Sequence, residues 1–184
     1  ISNIVISDSA VTAGNINNVN AGKAAAAVLA YAENVKLNIS AIRLNNVEVM
    51  SRYYPSTPRY FMHGVTAGIG GVVGNINESR NGNMDESMDV SIADVRRDGI
   101  SLSHTSAQGK TYAMANVGGV VGVFYTTYSD QTTRYPTLTI GNPSFSGDGY
   151  DVTVNNVVVM TQGVGGGVLG AANVRTNINY AHVT

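Results

Sequence analysis

Gly118-Gly119-Val120-Val121-Gly122 decides how this chain is read, because the pentad is not alone. It stands also at Gly70-Gly71-Val72-Val73-Gly74 and, with one change, at Gly166-Gly167-Val168-Leu169-Gly170, at intervals of 48 residues. A weaker copy, Ala26-Ala27-Val28-Leu29-Ala30, lies 44 residues before the first. A fixed period of this length is the mark of a repeat architecture. Residues without a Cβ let the backbone turn sharply or approach a neighbour closely, and the two Val between them supply side chains to bury. The alanines of the first copy keep the small size and lose the freedom at positive φ. A phosphate loop would need a Lys-Ser/Thr pair or a following helix, and neither is present.

Alternating segments follow each pentad, with the period of a half-buried strand. They are Val35-Lys36-Leu37-Asn38-Ile39, Met88-Asp89-Val90-Ser91-Ile92, Val152-Thr153-Val154 and Ile178-Asn179-Tyr180. A third strand follows in Val47-Glu48-Val49-Met50, Ile100-Ser101-Leu102-Ser103 and Val157-Val158-Val159-Met160. The fourth repeat stops at His182-Val183-Thr184, and the chain opens on Ile1-Ser2-Asn3-Ile4-Val5-Ile6-Ser7, which reads as the strand that repeat lacks. From Gly166 to the end and on to Ala26 is again 44 residues, so the four intervals account for all 184.

The expected fold is therefore all-β, one repeat domain over residues 1–184: a parallel β-solenoid of four repeats of about 46 residues, centred on 26–30, 70–74, 118–122 and 166–170. The alternative is a four-bladed β-propeller, in which the first strand closes the last blade. Three short strands per repeat fit a coil better than a blade, which takes four. A solenoid cut in mid-repeat leaves two strand edges open. Ile4, Val5 and Ile6 at one end and Ile178, Tyr180 and Val183 at the other are apolar alternating segments fit to pair, and they predict head-to-tail stacking into a fibre or membership of a longer array.

The pattern Val117-Gly118-Gly119-Val120-Val121-Gly122, an alternating strand, a Gly-containing turn and another strand, resembles the GLUG repeat of bacterial surface proteins. Val stands at 72, 120 and 168 where that family usually has Leu, and the repeats here are longer. The resemblance implies a right-handed parallel β-solenoid in a secreted or wall-anchored, adhesin-like protein. It points to an extracellular location and to a structural or adhesive function.

Composition agrees with stacked strands and turns. Charged residues make up 12% of the chain and nearly cancel, with 11 Lys plus Arg against 12 Asp plus Glu. Polarity comes instead from 20 Asn with many Ser and Thr. Nothing here attracts nucleic acid, and the longest Gly-free apolar stretch, Ala24 to Ala32, falls far short of a bilayer span of roughly 20 residues. With no Cys there is neither a disulfide framework nor thiol chemistry. The start at Ile1 reads as a processed product or an excerpt.

Extra length lies in polar stretches at 51–64, 75–87, 125–136 and 141–150. Arg52, Tyr53, Tyr54, Arg59 and Tyr60, with Tyr125, Tyr128, Arg134 and Tyr135, concentrate the residue types enriched at binding hot spots. They suit self-assembly or packing first and, as the alternative, a host-surface protein or glycan, as in a carbohydrate- or receptor-binding module such as a phage fibre piece. Residues 75–86 alternate oxygen-bearing side chains around Gly82 but lack the acidic ligands of a calcium loop, so no metal or cofactor is expected. Catalysis finds little support. Asp94 shows no acidic counterpart in the neighbouring repeats. Asp148 and Asp151, the pair a solenoid polysaccharide-degrading enzyme would need, flank a loop tip. His63, His104 and His182 are scattered.

Overall fold

The structure, a computed structural model, describes residues 1–13, 24–53, 67–78, 89–106, 115–126, 136–161 and 164–184. The chain opens with β1 (Ser2–Ala13). A first circuit runs through β2 (Ala24–Ala26), β3 (Leu29–Glu33) and β4 (Leu37–Tyr53), and a second through β5 (Ala67–Gly70), β6 (Val73–Glu78) and β7 (Asp89–Ser106). The third holds β8 (Ala115–Gly118), β9 (Val121–Thr126), β10 (Thr137–Ile140) and β11 (Val152–Met160). The last holds β12 (Gly165–Gly166), β13 (Leu169–Ala172), β14 (Arg175–Ile178) and β15 (Ala181–Val183).

These strands form three sheets, and the described residues contain no helix. One sheet runs β1-β4-β7 and continues through β10 and β11 to β14 and β15; the others run β2-β5-β8-β12 and β3-β6-β9-β13. Each pairing among the described residues is parallel and joins one circuit to the next. Propeller blades are antiparallel, so the four-bladed alternative does not describe this pairing.

The pentads make the corner between the second and third sheets, and they stack in register: Ala26, Gly70, Gly118 and Gly166 are successive partners. Why glycine recurs there is steric. A Cβ on Gly70 would run into the carbonyl oxygen of Val73, and one on Gly118 into that of Val121. The valines between, Val72, Val73, Val120 and Val121, are fully buried.

The first sheet carries a pattern that simple alternation does not describe. Inward residues of β4 fall at Leu37, Ile39, Ile42, Leu44, Val47 and Val49, two in every five, and those of β7 at Val90, Ile92, Val95, Arg97, Ile100 and Leu102. The phase slips because residues five apart adopt positive φ: Asn3 and Asp8 in β1, Ala41 (53°) and Asn46 (50°) in β4, Asp94 (48°) and Gly99 (63°) in β7. Each such residue turns the strand and resets which side chains face inward. Asn, Asp and Gly tolerate this backbone best. Every long strand is thus three short arms, and the middle one, residues 42–45 in β4, lies between the two alternating segments that the sequence displays.

Files of inward side chains run the length of the molecule. One is Ile4, Ile42, Val95, Val152 and Ala181, the three central members having no exposed surface. That file also corrects the expectation for the termini. Ile4-Val5-Ile6 does not supply what the last circuit lacks. It occupies the same register as Ala181-His182-Val183, four circuits away, and the position aligned with Val47–Met50 is Ser9–Thr12.

Candidate functional site

Parallel stacking makes two surfaces, the ends and the flank. At the ends the inward files lose their cover. Ile4, Ile6, Val28 and Leu29 on one side are only partly buried, as are Val157, Val159, Val168, Val174 and Ala181 on the other. Equivalent residues in between are at or near zero exposure. Val5, in the first strand, is 73% exposed, and Ile178, Tyr180 and Val183 are exposed at the opposite end. The structure therefore places all six residues expected at the assembly ends on the two terminal layers. It adds Val158 and Met160, at 52% and 54% exposure, on a stretch of β11 that β15 does not reach. Those two escaped the sequence reading because Val157 to Met160 looks like an interior strand.

On the flank, the middle arms present two outward files: Val5, Arg43, Arg96 and Thr153, and beside them Ser7, Asn45, Asp98 and Asn155. A shallow groove of about 340 Å³ runs between them. Its charges are tied across circuits. Arg43 donates to the Asp94 carboxylate at 2.8 Å and to the Asp94 carbonyl at 2.9 Å. Arg96 donates to Thr153 Oγ1 at 3.3 Å, and Asn156 Nδ2 to Asp98 at 2.7 Å. The Arg43–Asp94 pair is about 40% exposed on both sides, so solvent screens it and its net contribution is small.

Asp94 does have an acidic counterpart, and it is Asp151: Val95 pairs with Val152. The Asp151 carboxylate is buried and accepts the backbone N–H of Asn142 at 2.7 Å and of Asp94 at 3.2 Å. It closes the base of the excursion 141–150, while Asp148 sits exposed on that excursion. The two carboxylates thus have different surroundings, one bound by backbone and one in solvent. The excursion folds over the last circuit: Tyr150 stacks on His182 at 4.6 Å, and Phe145 tilts against Tyr180 at 5.7 Å.

One inward position is unexpected. Arg97 is 2% exposed, in the file Ile6, Leu44, Arg97, Val154 and Val183, and its guanidinium lies against Gly71. Among the described residues, none of its three nitrogens has a hydrogen-bond partner. Burial pushes its pKa down to about 9. On the third sheet, burial chiefly raises the Tyr31 phenol, to which Asn77 Nδ2 donates at 3.4 Å.

Of the Tyr/Arg set, Tyr125 is half-buried on β9 opposite Asn77, and the backbones of Arg52 and Tyr53 end β4 opposite Thr105 and Ser106. Tyr54, Arg59, Tyr60, Tyr128, Arg134 and Tyr135 lie outside the described residues, as do His63 and residues 79–86 of the calcium-like stretch. The first part of that stretch, Asn75 to Glu78, is strand β6. Among the described residues no three His, Cys, Asp or Glu side chains gather as a metal site would require. No protein-family model, curated protein or solved structure matches the chain.

Proposed function

We propose that this chain is a parallel β-solenoid of four repeats that works as an extracellular structural or adhesive element, stacking head-to-tail into a fibre and presenting its Tyr/Arg-rich segments along the rod. The observation that carries the reading is the contrast in burial along each inward file: apolar side chains with no exposed surface in the middle, and the same kind of side chains half-uncovered at both ends. Covering apolar area is worth about 25 cal/mol per Å², and open parallel edges offer backbone donors and acceptors to a further layer. Natural sheets blunt such edges with charge or proline. Here the terminal layers carry Ile4, Val5 and Ile6, and Ile178, Tyr180 and Val183. The Gly-Gly-Val-Val-Gly corners and their GLUG resemblance belong with a surface-exposed rod. The mechanism is mechanical: inter-circuit hydrogen bonds and a continuous apolar core stiffen the rod.

Negative-stain microscopy over a concentration series tests this. Rods that lengthen as concentration rises are the expected result. Particles that stay one chain long at every concentration overturn it.

A further inference from the structure

In the first sheet, each layer of the middle arm presents two outward side chains with one inward residue between them. Arg43 and Asn45 flank Leu44, Arg96 and Asp98 flank Arg97, and Thr153 and Asn155 flank Val154. The inward residue leaves only backbone between the two walls, and stacking the layers makes the groove of about 340 Å³, within the range of small-ligand sites. Its charges carry a cost that the fold does not explain. Arg43 and Arg96 are direct cross-strand partners, and like charges so placed repel. Asp94 answers only Arg43, which also donates to the Ile42 carbonyl at 3.0 Å and is thereby held in place. Arg96 donates to Thr153 Oγ1, and among the described residues no carboxylate pairs with it. Asp98 lines the groove too, but its carboxylate is engaged by Asn156. The groove therefore holds guanidinium N–H donors in excess of the acceptors that face them.

We propose that this groove binds an acidic glycan, an oligosaccharide carrying carboxylate or sulfate groups, with one oxyanion seated between Arg43 and Arg96. A planar guanidinium meets such an oxyanion with paired, charge-assisted hydrogen bonds, and an anion there relieves the repulsion of the two Arg. The rest of the lining suits a polyol. The amides of Asn45 and Asn155 and the hydroxyl of Thr153 each both donate and accept, as sugar hydroxyls do, and the Arg stems offer apolar surface to the C–H face of a ring. Other polymers fit less well. An extended peptide binds by adding a strand to an open edge, but the groove lies on the face of the sheet, where β4 and β7 are already paired on both sides. A single-stranded nucleic acid stacks its bases on aromatic rings, and no aromatic side chain lines the groove. The proposal gives the adhesive half of the reading above a partner and rests on that half alone, independently of stacking.

Titration calorimetry of the full chain with three linear oligosaccharides of similar length tests this: an oligogalacturonate, a sulfated heparin fragment and a neutral cello-oligosaccharide. At least one acidic chain is expected to bind, about tenfold or more tighter than the neutral one, and the tighter of the two acidic arms identifies the oxyanion. Arg96→Gln is expected to weaken that binding about tenfold. Asp98→Asn removes the groove's own negative charge and is expected to strengthen it about threefold. Arg175→Gln takes the same charge from an exposed position on β14 outside the groove and is expected to leave affinity unchanged. Equal binding of neutral and acidic chains, a loss with Arg175→Gln as large as with Arg96→Gln, or no binding of any of the three overturns the proposal. Microscopy reads stacking separately, so a groove that takes no glycan leaves the stacked rod standing, and particles one chain long leave the groove standing.

Discussion

Ile42 and Ile4 are the same residue, on the same inward file and one layer apart, yet Ile42 has no exposed surface and Ile4 is only partly covered. The difference teaches that position along the stack, and not residue type, sets how much each apolar side chain contributes to holding the fold. A side chain with a layer on both sides loses its whole surface to neighbours. One in a terminal layer keeps a face open and gains the rest only when another layer arrives. Stability is concentrated in the middle, while the end layers keep part of their apolar surface open.

The largest effect expected from disturbing the middle is at the corner. Gly118→Val puts a side chain into the Val121 carbonyl and against the Gly170 amide. Backbone cannot yield there without breaking the register of three circuits. Loss of about 4 kcal/mol or more, or failure to fold, is expected by urea denaturation. Next comes the comparison itself. Ile42→Ala should cost about 2–5 kcal/mol, the range for emptying a closed apolar site. Ile4→Ala, where solvent already reaches, should cost about 1 kcal/mol or less in the same measurement. Equal losses at both positions would remove the distinction between middle and end.

Arg97 sharpens the comparison from the opposite direction, as a middle position filled by the wrong kind of side chain. Leu44 and Val154, its neighbours in the file, are apolar, so Arg97→Met keeps the length and removes an unpaired buried charge. A gain of about 1–4 kcal/mol is expected. The sign of the pH dependence follows from the lowered pKa of about 9. The unfolded chain holds this proton to higher pH than the folded one, so wild-type stability should rise as pH passes upward through about 9. The advantage of Arg97→Met should narrow accordingly as pH rises above about 9, which thermal melts of the two proteins would show.

The smallest effect belongs to the left-handed turns. Asn46→Ala places an ordinary residue at φ 50° and removes the hydrogen bond to Asp8. About 1–2 kcal/mol should be lost. Ala41→Gly, at φ 53°, should gain up to about 1 kcal/mol, since Ala has no side chain to compensate for that conformation.

Much of this architecture is legible in the sequence, for a physical reason. Glycines that prevent a collision at every turn of a stack must recur at one register, and Gly70, Gly118 and Gly166 do. Alternation gave the outer arms of the long strands, Leu37–Ile39 and Val47–Met50. The middle arm stayed hidden because the left-handed residues break the alternation, so that Ile42 and Leu44 fall out of phase with both neighbours. Its signal was present in the spacing of Asn3 and Asp8, or Asp94 and Gly99, turn-prone residues five apart. Missing that slip put Ile4 one arm away from its true position and hid the overlap of the termini. It hid Arg97 too, since Arg96-Arg97 reads as surface under any unbroken alternation. The pairing of Asp94 with Asp151 was illegible for another reason: the excursion 141–150 intervenes, and only the register across it brings the two together. Ile178, Tyr180 and Val183 stand out in the sequence as apolar residues near its end, and the structure leaves all three exposed.

Parallel stacking of successive circuits in one register underlies all of this, and a pair of cysteines placed within one chain tests it most directly. Glu48 and Ser101 face outward as partners on adjacent strands, at the roughly 4.8 Å spacing of a sheet, inside the Cα separation of about 4.4–6.8 Å that a disulfide spans. Glu48→Cys with Ser101→Cys should oxidise to an intramolecular disulfide in the single chain, while Glu48→Cys with Asp98→Cys, three residues out of register, should stay reduced. Closure of the second pair with the first left open would contradict the stacked circuits and everything built on them.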